Sequence, residues 1–324
     1  MLMISHCRWT YDAGGDPSDG LIPSAGVIAS LPSLKNLALR INAPSHEMLA
    51  STLPPLKSFK ILETLSVSCT GDLPRSYCSR EIASAISASP GLTRLRIHNF
   101  ITLEDYRRRV GKCASLQRLL RTPRPELEDL ELQYVPLASV GIREILPPKL
   151  KRLSISTLPG ARRIEFDWRG LWSALKEAGI ELLILKVWGS DNAMEELFSY
   201  LLSYTGLQRL GLSGLQLDSQ EMEDQAASKF WQQIVPHHQN SLTSICAYSK
   251  FESGWCYGPS VSAAMRQCPS LRDLTVSVCS VDSSWAEAKL RRAREDDGFE
   301  FCRLKEPQGS VENCGVCPAA NGVF

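Results

Sequence analysis

Cys314 and Cys317 flank Gly315 and Val316, and Cys302 lies a short way upstream. Thiolates at this spacing are zinc chemistry, because a structural zinc takes four such ligands. There is no second Cys-x-x-Cys, and Cys279 completes the set only if the tail folds back on the preceding chain. The group therefore reads as reduced thiols without a metal. No thioredoxin-like context surrounds the pair to support redox work. His237-His238 follows a predicted helix and reads as a solvated helix end. His46-Glu47 lacks the second histidine of a zinc-protease helix, and Gly211-Leu212-Ser213-Gly214 lacks the last glycine of a nucleophile elbow. Neither Gly-x-x-x-x-Gly-Lys nor Gly-x-Gly-x-x-Gly occurs. No catalytic residue, cofactor or metal is expected, and the chain reads as a protein without enzymatic activity.

Composition narrows the classes further. The 324 residues carry 36 Lys plus Arg against 35 Asp plus Glu, a net charge of +1. That gives no field to draw nucleic acid or an anionic membrane. The longest apolar run, Leu182 to Trp188, is interrupted by Lys186 and is far short of a membrane span. The N-terminus has no basic residue ahead of its short apolar stretch, unlike a signal peptide. Eleven scattered cysteines and no Asn-x-Ser/Thr site fit reduced thiols, and hence cytosol or nucleus. The basic runs Arg107–Arg109 and Lys289–Arg294 are diluted by neighbouring acids and read as solvated helix faces.

The elements that must position any working surface come from a repeat of the form Leu-x-x-Leu-x-Leu. It reads LKNLAL at Leu34, LETLSV at Leu62, LTRLRI at Leu92, LEDLEL at Leu127 and LKRLSI at Leu150. It continues as LQRLGL at Leu207, LTSICA at Leu242 and LRDLTV at Leu271. A further copy in IELLILKVW starts at Ile180 or Leu182, and either register sets Leu183, Leu185 and Val187 on one face. With Ile180 as start, the steps are 28, 30, 35, 23, 30, 27, 35 and 29 residues. Each hexapeptide alternates as a strand does.

Most intervening segments carry helix chemistry. In NAMEELFSYLLSYTG, Asn192 and Glu195 are spaced as a capping box. Met194, Leu197, Phe198, Leu201 and Leu202 form one apolar face, and Gly206 offers a left-handed end. In DSQEMEDQAASKFWQQIVP, Asp218 and Glu221 repeat the cap, Met222, Ala226, Phe230 and Ile234 make the stripe, and Pro236 stops it. SREIASAISASPG does the same with Ile82, Ala85 and Ile86.

Strand then helix, repeated with one hand, stacks into a parallel sheet lined by parallel helices. Helices are about 10 Å wide and strands about 4.8 Å apart, so the stack curves with its strands inside. The pattern resembles the leucine-rich-repeat family in its long, ribonuclease-inhibitor-like class, over roughly residues 30 to 304. The resemblance implies an α/β solenoid, a horseshoe with an inner parallel sheet and outer helices. One departure is the ninth position, where the family places Asn or Cys. Here Asn42 and Cys279 fit, whereas Thr70, Phe100, Val135, Leu158, Leu215 and Lys250 do not, nor does Trp188 or Ser190 in the ambiguous copy.

At the start, Leu2, Ile4 and Cys7 fit the fourth, sixth and ninth positions of a repeat. The chain is thus expected to begin inside a repeat, either cut short or with a strand serving as its own cap. Trp285 to Asp296 reads as a charged helix, with a last strand at Phe299 and Phe301. The expected organisation is a partial repeat and loop over 1–30, the solenoid over 31–304 and a loose cysteine-containing tail over 305–324.

The third, fifth and seventh positions of each repeat face away from the core. Arg94, Arg96 and His98 should lie beside Asp129 and Glu131 on the next strand, with Arg152 beyond. These residues read either as surface ion pairs or as a polar recognition patch, the ion pairs being the expected reading. Trp188, with Ile184 and Lys186 on its strand, is expected next to Arg209, with Tyr248 two strands on. That is the composition of a binding hot spot, unless Trp188 packs under a loop or against the neighbouring repeat. The candidate partner-binding residues are these aromatic and basic side chains. The expected partner is a protein on the concave face, with no nucleic acid and no membrane. The style of LPSLKNLAL and CPSLRDLTV is similar to the repeat half of fungal F-box proteins, substrate receptors of cullin-type ubiquitin ligases. That resemblance implies a ligase adaptor as a further partner only where an F-box segment stands upstream.

Overall fold

In a computed structural model, the structure describes residues 6–12, 34–42, 59–70, 75–98, 116–120, 124–135, 137, 141–157, 167–189, 193–215, 217, 219–249 and 254–277. The C-terminal helix and strand, the cysteine tail, both basic runs, Asn192 and Asp218 lie outside these residues. Met1–Ile180 and Glu181–Phe324 form two compact units.

In the first unit the described strands are β1 (His6–Asp12), β2 (Asn36–Asn42), β3 (Thr64–Thr70), β4 (Arg94–His98), β5 (Asp129–Gln133) and β6 (Arg152–Ser156). Each pairs in parallel with the next in sequence. Helices α1 (Arg75–Ala88), α2 (Leu116–Leu120), α3 (Ile142–Ile145) and α4 (Trp168–Glu177) stand between or after them. The second unit carries β7 (Ile184–Trp188), β8 (Arg209–Leu215), β9 (Ser244–Ser249) and β10 (Asp273–Val276). Pairing is again parallel and sequential. Its helical segments are α5 (Met194–Leu201), α6 (Gln220–Lys229), a π turn at Phe230–Ile234, α7 (Val235–His237) and α8 (Pro259–Arg266). This is an α/β fold with all-parallel strand pairing and intervening helices, consistent with a leucine-rich-repeat-like solenoid. No helix among the described residues is long and apolar enough to cross a membrane.

The hexapeptides explain the core. Their first, fourth and sixth residues are buried, as Leu62, Leu65 and Val67 show at 0% exposure. The helical stripes are buried too: Ile82, Ala85 and Ile86 of α1, and Met194, Leu197, Phe198 and Leu201 of α5.

The register corrects several sequence expectations. His6 pairs with Asn36, Cys7 with Leu37 and Trp9 with Leu39. Cys7 therefore holds the fourth position of its repeat, not the ninth. The pattern was hidden because Cys and Trp stand where the other repeats carry leucine. Ile184 pairs with Arg209, which starts the ambiguous repeat at Leu182. Leu182 is fully buried and Leu183 only half-buried, because Leu183 occupies the second, outward position.

Helix ends also differ. The N-cap position of α5 is Ala193, with no side-chain bond, in place of the expected capping box. Gly206 does adopt φ +102°, but in the loop several residues past the helix. Ser219 caps α6 by accepting from the Met222 N–H at 3.2 Å. Met222 is 43% exposed, and Glu223 is buried in its place. Steps of four residues advance about 40° each around a helix, so three such steps carry Met222 about 120° from Ile234. Pro236 does not stop the helix. The π turn precedes it, with Val235 N–H donating to the Phe230 carbonyl, and the wider turn relieves the clash a proline ring makes with the preceding turn.

With few ninth-position asparagines, other side chains tie repeat to repeat. Ser89 Oγ donates to the Phe59 carbonyl at 2.7 Å, both residues buried. Thr93 and Thr243, at equivalent second positions, donate to the Glu63 and Gln208 carbonyls at 3.0 Å each. Ser241 Oγ donates to the Leu207 carbonyl at 2.8 Å. Ser89→Ala is expected to lower the unfolding free energy of the first unit by about 1–3 kcal/mol in urea titrations, since it removes a buried donor from a buried carbonyl. Wild-type stability in that variant would show that the bond contributes nothing.

Candidate interaction surface

The polar face of each unit is set by strand alternation. With positions four and six in the core, positions three, five and seven must point to the opposite side. In the first unit the rows are fixed by register: Thr64, Arg94, Asp129 and Arg152 form one, and Ser66, Arg96, Glu131 and Ser154 the next. The third row holds Arg40, Ser68, His98, Gln133 and Ser156.

Structure brings Arg94, Arg96 and His98 together with the expected acids. Arg94 Nε and Arg152 Nε donate to the same Asp129 Oδ2, at 2.9 and 3.1 Å. Arg96 Nε lies 3.1 Å from Glu131 Oε2, and His98 Nε2 lies 3.0 Å from Oε1. Both of these contacts fall outside hydrogen-bond geometry. Below the rows, at second positions, Lys35 pairs with Glu63 at 2.6 Å and Lys151 with Glu128 at 2.8 Å. The hydrogen bond from Lys151 holds the Glu128 carboxyl below the usual range.

The second unit is arranged differently from the sequence expectation. Trp188, Ser213 and Tyr248 share one row, and Ile184, Arg209 and Ser244 share another. Arg209 is thus not beside Trp188: four residues of strand, about 13 Å, separate the rows. Trp188, Ile184 and Lys186 are half-buried and Arg209 is exposed. The side chain of Tyr248 lies outside the described residues. Gly211 sits beside Lys186, whose Cγ is 3.5 Å from where a glycine Cβ would stand, so the lysine stem rests on bare backbone. Ser213 is 4% exposed on a strand, with a register irregularity just after it, and is not on the strand-to-helix turn a nucleophile elbow needs.

Sequence reasoning missed the histidine pair. His238 is buried, and its Nε2–H donates to the Leu201 carbonyl at the end of α5 at 3.0 Å. His237 Nε2 lies 2.9 Å from the Tyr204 carbonyl. Burial, then His237 beside it, pushes the His238 pKa down to about 4 against the opposing pull of the Leu201 carbonyl. The two histidines face the carbonyl-rich end of the preceding helix, a place that suits histidine, and that spacing to a distant helix end is what sequence alone does not show. Burial also pushes the Cys268 thiol up to about 11. Among the described residues, no group of three or more His, Cys, Asp or Glu is placed to hold a metal ion.

The fold and this face define an α/β protein with sequentially paired parallel strands and a polar face opposite its core. No family model matches the chain, and no curated protein matches it. Among solved structures, a crystal structure of a Bacteroides fragilis protein matches with 14% identity and a TM-score of 0.44 over 75% of this chain. The chain spans 65% of that protein's length.

Proposed function

We propose that this chain is a non-catalytic scaffold that binds a partner protein on the polar face of its parallel strands. The observation that carries the reading is the placement of arginines, Lys186 and Trp188 at outward positions fixed by register, opposite a core built from the first, fourth and sixth residues of each hexapeptide. Cytosol or nucleus is the proposed location. A photo-crosslinking residue at Ser66 or Thr275, on the polar face, is expected to give discrete adducts in the source cells. The same residue at Ser173 or Met222, exposed on helices, is expected to give none. Equal adducts from helix and strand positions would overturn the reading.

A second reading rests on the sequence resemblance to F-box repeat proteins: substrate recognition for a cullin-type ubiquitin ligase. It is supported by the LPSLKNLAL and CPSLRDLTV segments and requires an F-box segment upstream of Met1. The native 5′ end of the transcript decides it, since an upstream reading frame without such a segment removes the ligase role.

A further inference from the structure

We infer that the polar face of β2–β6 binds an acidic, extended stretch of the partner protein, an inference that rests on the scaffold reading above. Its outward positions carry Arg40, Arg94, Arg96 and Arg152 against Asp129 and Glu131. Four guanidiniums against two carboxylates leave this face at +2 on a chain whose total is +1. This face is thus net positive, while the chain as a whole is close to neutral.

The way the arginines are held decides what they can do. Asp129 and Glu131 are only 12% and 24% exposed, whereas Arg94, Arg96 and Arg152 are 41%, 43% and 38% exposed. The carboxylates engage Nε in each case, and Arg96 Nε is itself buried. The exposed portion of the Arg96 guanidinium is thus its terminal amino end. Asp129 anchors the forks of Arg94 and Arg152 through Nε before any ligand arrives, and Glu131 lies against Arg96 as an ion pair. A fork held this way retains paired donors suited to a carboxylate and loses little side-chain freedom on binding. Arg40, on β2, is exposed and extends the surface toward the other side of the patch.

The spread of the charges selects the shape of the ligand. From β2 to β6 is four strand spacings, about 19 Å, which an extended peptide of roughly six residues crosses. Between the arginines stand Thr64, Ser66, Ser68 and Ser154, short polar side chains that leave room for backbone to approach. Apart from His98 no ring stands among these positions, so the surface has no platform on which nucleic-acid bases would stack. That favours a peptide over a single-stranded nucleic acid.

The test uses the full chain and a fluorescein-labelled Glu-rich peptide of about ten residues, with a Gln-for-Glu peptide as the neutral control. Fluorescence anisotropy is expected to show binding of the acidic peptide alone, weakening as salt shortens the Debye length below about 8 Å. Arg40→Glu is expected to weaken binding roughly fivefold, and Ser66→Arg to strengthen it severalfold. The gain arm keeps the result meaningful if a loss variant folds poorly. Equal affinity for both peptides, no response to either variant, or tighter binding of a single-stranded oligonucleotide of equal charge would overturn the inference. Crosslinks confined to the polar face alongside any of those outcomes would leave the scaffold standing and remove only its acidic partner. Crosslinks equally from the helices would remove both.

Discussion

Phe230→Ala is expected to destabilise the second unit by about 3–5 kcal/mol, the cost of emptying a fully enclosed aromatic site. Phe230 is 0% exposed and opens the π turn. Its ring meets Trp231 edge-on at 4.7 Å, Trp255 at 5.1 Å and Phe198 at 6.4 Å. Three separate segments, α5, the turn itself and the stretch before α8, thus share one ring. Such a site collapses poorly when its centre is removed, because the surrounding rings are rigid and already interlocked. The measurement is urea unfolding followed by tryptophan fluorescence, with Met222→Ala as the comparison. Met222 lies on the same helical segment but is 43% exposed, so its truncation should stay within about 0.5 kcal/mol. If the two variants unfold alike, the aromatic cluster does not hold this unit together.

Mild acid should loosen the same unit through His238. Its folded pKa is about 4, below the ordinary 6.5 of an unfolded chain. Between these values the unfolded chain binds a proton that the folded chain does not. Stability therefore rises with pH across the window. The contribution is complete above pH 6.5, declines by about 1.4 kcal/mol per unit as pH falls toward 4, and levels off below that. The cause is burial: Nε2 is committed to the Leu201 carbonyl, and the buried Nδ1 has no acceptor for a second proton. Carboxylates titrate over part of the same range, so the decisive quantity is the difference from His238→Gln. Wild type should lose more stability than the variant between pH 6.5 and 4.5. Parallel profiles would show that His238 takes its proton without cost.

What could be read from the residues follows from how locally each feature is encoded. The strands were legible because each hexapeptide states its own alternation and its own core positions, from Leu34 through Leu271. The pairing of Arg94 with Asp129 and of Arg96 with Glu131 followed once the repeats were laid side by side. The first strand was misplaced because its fourth and sixth positions are Cys7 and Trp9. Met222 was assigned inward because exact steps of four look like a stripe, although they drift around the helix. His238 and Ser89 were missed for another reason: their acceptors, Leu201 and Phe59, lie 37 and 30 residues earlier in the chain. Arg209 and Trp188 hold the third and seventh positions of adjacent repeats, so neighbouring strands do not make them neighbours in a row.

Among the described residues, five bonds from serine, threonine and histidine side chains to backbone carbonyls of a neighbouring repeat run one way. Ser89, Thr93, His238, Ser241 and Thr243 each belong to the later repeat and reach back to carbonyls of the earlier one. Such a chain has a grain. A repeat stripped of its successor loses the donors to these carbonyls, and one stripped of its predecessor keeps the donors but loses the carbonyls they reach; water satisfies either set. A duplication that adds a repeat therefore preserves these five ties only when the newcomer brings donors at the equivalent positions.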